Sequence, residues 1–170
     1  MTAVHVGSTT HTTTYVATNL LRTLRSLITE AGLDPTKFMS TWSVWEDGVA
    51  HWLGERGLDT LVLEVFDPTD TTDDRRGRFD FTLDYTYGGD GDLWIDPDII
   101  TFTVKKAGSY PSNCRYKLVA ITSRWATDPP TGSWTSTTLR STEGFTRHNA
   151  GTSVAGGSTS ASLSYYRRAN

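Results

Sequence analysis

Apolar residues recur at helical spacing from Tyr15 onward: Val16, Leu20, Leu21, Leu24, Leu27, Ile28 and Ala31 share one face, and Arg22, Arg25 and Glu30 take the other. Gly32 stops this helix. Asp34 and Pro35 then supply a cap and a first-turn proline for a second helix, with Phe38, Trp42, Trp45, Val49, Trp52 and Leu53 repeating at three and four. Aromatics at that spacing are read as core rather than as a ligand-stacking stripe. The period then shortens to two. Thr60–Phe66 reads as a strand, and Phe79, Phe81, Leu83, Tyr85 and Tyr87 alternate with Asp80, Thr82, Asp84 and Thr86, which predicts an antiparallel strand with one aromatic face and one acidic, wet face. Asp96-Pro97 looks like a further cap, leading through Ile99, Ile100, Phe102 and Val104 to Lys105, Lys106 and Gly108. The lysines and glycine are helix-stop chemistry, although Thr101 and Thr103 suit a strand equally well. A last clear strand runs from Cys114 to Ile121.

Both ends depart from these patterns. Residues 1–14 are short, polar and β-branched and read as a flexible tail or an edge strand, leaving 15–125 as the α+β core. Beyond Arg124, Pro129 and Pro130 break any regular element, and Gly, Ser and Thr dominate around isolated large residues at Trp134, Leu139, Phe145, Leu163, Tyr165 and Tyr166. Ordering such a segment costs on the order of 1 to 2 kcal/mol per residue with few apolar groups to compensate. Residues 126–170 are therefore expected to wrap the core through single anchors and to take their shape from something enclosed.

Composition narrows the function classes. The 170 residues hold six Trp, seven Tyr and six Phe, too much aromatic surface for a disordered chain, and their number suits one domain. A net charge of −3 with scattered basic residues argues against direct nucleic-acid binding. The single Cys114 cannot form an intramolecular disulfide. No signal-peptide pattern and no membrane-length apolar run is visible, so a cytoplasmic protein is expected.

Candidate chemistry is sparse. Asp90, Asp92, Asp96 and Asp98 invite a calcium loop, but Trp94 occupies the fifth position, where an EF-hand needs an oxygen ligand. His5 and His11 have no companion ligands nearby. Gly151-Thr-Ser153-Val-Ala155 lacks the second glycine of a nucleophile elbow, no phosphate-binding loop is present, and His51 reads as a core or boundary residue. Cys114 reads as a small buried residue. No enzyme, metal or cofactor is expected.

The order of elements resembles a HORMA domain, and more closely the bacterial HORMA proteins of CBASS-type antiphage operons. The stretches that carry the likeness are Gly32-Leu-Asp-Pro35, Asp84-Tyr-Thr-Tyr-Gly-Gly-Asp-Gly91, Lys106-Ala-Gly108 with Pro111-Ser-Asn-Cys114, Ser136-Thr-Thr-Leu-Arg-Ser-Thr-Glu-Gly-Phe145 and Tyr165-Tyr-Arg-Arg168. The resemblance implies an α+β fold with three helices on a mainly antiparallel sheet and a mobile C-terminal safety belt. It also implies a signalling adaptor whose belt re-docks around a closure-motif peptide or phage protein. The closed form then binds and activates a CD-NTase, a cyclic-oligonucleotide synthase, and an AAA+ remodelling ATPase engages the N-terminus to reopen it. Position and chemistry nominate Tyr116, Leu118, Trp134, Leu139, Phe145, Leu163 and Tyr165 for the peptide site and belt, and Thr2, Val4, His5 and Val6 for the remodeller. The unbound protein is expected to be a monomer. The competing class is a structural or assembly protein of a phage or secretion system that exchanges its C-terminal arm between subunits.

Overall fold

A computed structural model describes residues 2–70, 75–88 and 92–169, with side chains in the first helix from Thr12 onward and only the backbone of Arg75. Helix α1 (Thr2–Glu30), α2 (Thr36–Ser40), α3 (Trp42–Gly54) and α4 (Ile99–Ala107) accompany strands β1 (Leu58–Phe66), β2 (Arg75–Asp84), β3 (Trp94–Ile95), β4 (Arg115–Thr122), β5 (Phe145–Gly156) and β6 (Thr159–Arg168). The six strands form one sheet in the order β3-β5-β6-β2-β1-β4, and each pairing is antiparallel.

Helix α1 lies on the sheet because its apolar stripe has nowhere else to go. Val16, Leu20, Leu21, Leu24, Leu27, Ile28 and Ala31 are at most 1% exposed, against Leu61, Leu63, Phe79, Phe81 and Leu163 of the sheet. Each such leucine contributes roughly 2 kcal/mol through burial, so Leu24→Ala in this seam would cost about 3 kcal/mol or more.

Four sequence expectations give way. The backbone of residues 2–14 continues α1 instead of forming a tail or edge strand, against the low helix propensity of its six threonines. The second helix is broken at Thr41 (φ −109°, ψ 14°) into α2 and α3. At its start the Asp34 carboxylate accepts the Thr36 N–H at 3.0 Å, so Asp34 does its capping from one residue further back than a first-turn proline implies. The face of β2 opposite its aromatics is not wet throughout. Asp80 is 4% exposed and is held by Arg78 Nε at 2.7 Å and by the Tyr166 hydroxyl at 3.2 Å. Tyr85 and Tyr87 lie past the end of that strand.

The largest correction concerns the C-terminal third. Residues 145–168 are strands of the central sheet: β6 pairs with β2 along its length, from Arg78↔Tyr166 to Asp84↔Ser160, and β5 pairs with β6. Val154, Ala155, Ala161, Leu163 and Tyr165 are buried, and serines alternate with them on β6. The sheet ladder satisfies the backbone, and the small side chains leave room for α1, so few large apolar groups are needed.

Candidate functional site

Among the described residues, strand β4 pairs with β1 on one side and with no strand on the other, so it ends the sheet there. Register fixes its two faces. Tyr116, Leu118 and Ala120 stand opposite Val65, Leu63 and Leu61 on the helix side, and all three are only half-buried. Arg115, Lys117 and Val119 stand opposite Phe66, Glu64 and Val62 on the back face. The Tyr116 hydroxyl donates to the Asp34 carbonyl at 2.7 Å and accepts the Phe38 N–H at 3.3 Å, which ties this end of β4 to α2.

Residues 123–144 have almost no regular structure, yet they are pinned along their path. Thr127 bonds to Glu55, whose carboxyl is held below its ordinary value first by the Thr127 side chain and then by its backbone N–H. The Trp52 indole donates to the Thr127 carbonyl at 3.1 Å, and His51 meets the Thr127 hydroxyl at 2.9 Å, making it a boundary residue as expected. Trp134 then docks edge-on between Trp45 and Trp52, with ring centroids 5.2 and 4.9 Å away. Two glycines make this seat. A Cβ on Gly48 would lie 2.7 Å from the Trp134 ring, and Gly132 turns the chain with φ +83° against Val44.

Three residues later the segment is on the opposite face of the sheet. Lys117 Nζ donates to Thr137 Oγ1 at 3.1 Å and to the Thr138 carbonyl at 2.9 Å. Arg140 gives its backbone N–H and its guanidinium to Glu64, both at 2.8 Å, and its guanidinium lies 4.3 Å from the Phe66 ring centroid. Glu64 is fully buried, and Lys117 Nζ stands 3.8 Å from it. A chain that touches α3 on one face and Glu64 on the other has gone around an edge of the sheet. With β1 and β4 at this end, that edge is β4. The segment encircles it.

The nominated residues divide accordingly. Tyr116, Leu118, Trp134 and half-buried Leu139 lie on the edge or on the encircling segment, whereas Leu163 and Tyr165 are core residues of β6 and Phe145 opens β5 opposite Arg168. Thr2, Val4, His5 and Val6 belong to the first turns of α1, and their side chains lie outside the described residues. Asp90 also lies outside them, while Asp96 accepts the Asp98 N–H at 2.9 Å. Among the described residues no three His, Cys, Asp or Glu side chains cluster as a metal site would require, and no helix is long and apolar enough to cross a membrane. Cys114 is buried, and desolvation raises its thiol above the ordinary value. Sequence reasoning missed Gly48, Glu64 and Arg140, which need the tertiary path to be seen.

A helical layer on one face of an antiparallel sheet, with a C-terminal hairpin joined across the sheet to the strand farthest from it, is the HORMA architecture. The chain belongs to the family described as bacterial HORMA domain 2, which matches residues 1–169. Among solved structures it is similar to a chain of the mitotic checkpoint complex (TM-score 0.68, 10% identity, covering 93% of this chain and 99% of that one). It is also similar to C. elegans HTP-2 bound to the HIM-3 closure motif (TM-score 0.58, 11% identity, 91% and 86% covered). A third likeness is to the E. coli MS115-1 complex of CdnC with HORMA-deltaN (TM-score 0.58, 18% identity, 97% and 90% covered). No curated protein sequence matches the chain.

Proposed function

We infer that this protein is a peptide-binding adaptor in which residues 123–144 are a safety belt, closed over an extended closure-motif peptide that pairs with β4. The observation that carries this reading is the sheet-ending edge of β4 with the same chain passing around it. A peptide added there gains backbone hydrogen bonds as a further strand, and its alternate side chains meet Tyr116 and Leu118 on the side of Trp134 and Lys117 on the side of Leu139. Leu163, Tyr165 and Phe145 hold the hairpin that ends the belt.

The belt has the slack for this. Between the anchors Trp134 and Arg140 lie six residue steps, which reach up to about 20 Å when extended. An added strand displaces the path by only about 4.8 Å. Contacts between half-buried Lys117 and Thr137–Thr138 release first, while the Trp134 seat and the Glu64 pair stay in place.

In the wider reading, the closed, peptide-bound form binds and activates a CD-NTase in antiphage signalling in the cytoplasm. An AAA+ ATPase reopens it by engaging Thr2, Val4, His5 and Val6. Support for the CD-NTase comes from the fold shared with the HORMA protein solved with CdnC. The adaptor itself carries out no chemistry. Moving the belt from almost always open to almost always closed takes about 5.5 kcal/mol of preferential binding, within reach of a short extended peptide.

The test is synthase activity. The full chain is mixed with a purified CD-NTase of the CdnC kind, with and without a peptide selected by display. Cyclic oligonucleotide that rises only when the peptide and this protein are both present supports the reading. Output unchanged by either would remove the signalling role.

A further inference from the structure

Resting on the peptide-binding reading, we propose that the segment captured at β4 alternates acidic with apolar residues, the acidic ones standing opposite Arg115 and Lys117 and the apolar ones opposite Tyr116 and Leu118. The two faces of the edge differ in chemistry. On the helix side, Tyr116, Leu118 and Ala120 are half-buried and apolar, and the Tyr116 hydroxyl is already engaged by Asp34 and Phe38. A neighbouring strand therefore meets ring and aliphatic surface there.

The back face carries surplus positive charge. Glu64 is one carboxylate, and Arg140 at 2.8 Å already neutralises it. Lys117 adds a second cation at 3.8 Å from Glu64, and Arg115 a third, exposed one on the same face of β4. Nearby Arg78 is matched by Asp80 at 2.7 Å. The carboxylates at the other end of β4, Asp59 beside Ser123 and Glu55 beside Thr127, lie beyond Thr122. At the Arg115 end Asp67 and Asp70 both pair with Arg76, so among the described residues the excess at Arg115 and Lys117 amounts to one positive charge. The closest partners of Lys117 are a hydroxyl and a carbonyl of the belt, and these are the contacts a bound strand displaces. A carboxylate on the incoming strand replaces them with a charge-assisted bond.

Cross-strand pairs of opposite charge are favourable and like charges directly opposite are not, so exchanging both acidic positions for lysine should weaken capture by on the order of tenfold. The full chain is co-expressed with carrier-fused peptides of repeating Glu-apolar sequence or their Lys-apolar counterparts, and the retained peptide is quantified. Wild-type protein should retain the acidic series, and Arg115→Glu should reverse or erase the preference. Arg115→Glu leaves the Glu64–Arg140 pair untouched, and its circular dichroism and unfolding midpoint verify folding. Equal retention of both series, or a preference that Arg115→Glu does not change, overturns the inference while leaving peptide capture standing. Retention of neither series, and of no peptide from a random library, overturns the inference together with the reading beneath it.

Discussion

Arg140→Ala probes the clasp that carries the belt across the back of the sheet. The substitution deletes the guanidinium 2.8 Å from Glu64, a carboxylate with no exposed side-chain surface. Removing one partner of a buried ion pair costs about 3 to 5 kcal/mol, because the other charge stays behind without compensation. Here Lys117 remains 3.8 Å away and the backbone N–H of residue 140 still donates, so the lower end applies, about 3 kcal/mol. Urea unfolding followed by tryptophan emission reads this directly. With a slope near 2 kcal/mol per molar, the midpoint should fall by about 1.5 M. Replacing both groups with methionine should recover most of the loss, since a well-packed apolar pair does as well as a buried salt bridge. A loss under about 0.5 kcal/mol, the size of an ordinary surface change, would refute the reasoning. So would a double variant no better than the sum of its singles.

Two further outcomes follow from the geometry. Gly48→Ala gains about 1 kcal/mol of helix propensity in α3 but drives a methyl into the Trp134 ring, losing roughly 2 kcal/mol of half-buried indole packing. Net destabilisation of about 1 kcal/mol, with a displaced Trp134 indole resonance in NMR spectra, is expected, and a more stable protein with that resonance unmoved would contradict it. Burial pushes the Tyr85 phenol up to about 12, and the neutral phenol donates to the Leu58 carbonyl at 2.8 Å. Its neutral form is thus favoured by folding: the contribution is complete below pH 10 and is lost as pH rises towards 12, so alkaline unfolding should become less steep in Tyr85→Phe.

The sequence made the helical layer and the central strands legible because their periods are strong: the α1 stripe and Phe79, Phe81 and Leu83 of β2 are found buried as read, whereas Tyr85 and exposed Tyr87 fall past the strand's end. The β5–β6 hairpin was equally periodic but hidden by small residues. Ala161, Leu163 and Tyr165 alternate with Ser160, Ser162 and Ser164, and Gly157-Ser158 is a two-residue turn signal with φ +59° at the glycine. The burial of Asp80 was foreshadowed by Arg78 two residues earlier on the same face. Trp134 stood out as an anchor, whereas its seat at Gly48 and the Arg140–Glu64 clasp join positions far apart in the chain, which no local pattern reveals.

Hydrogen exchange at residues 115–122, before and after a selected peptide is bound, asks the most direct question of the account. If the belt encloses a strand at this edge, alternate amides of β4 that exchange readily in the free protein should slow by orders of magnitude, while β6, already paired on both sides, stays unchanged. Tight binding with no added protection at β4 would place the peptide elsewhere and contradict the account at its centre.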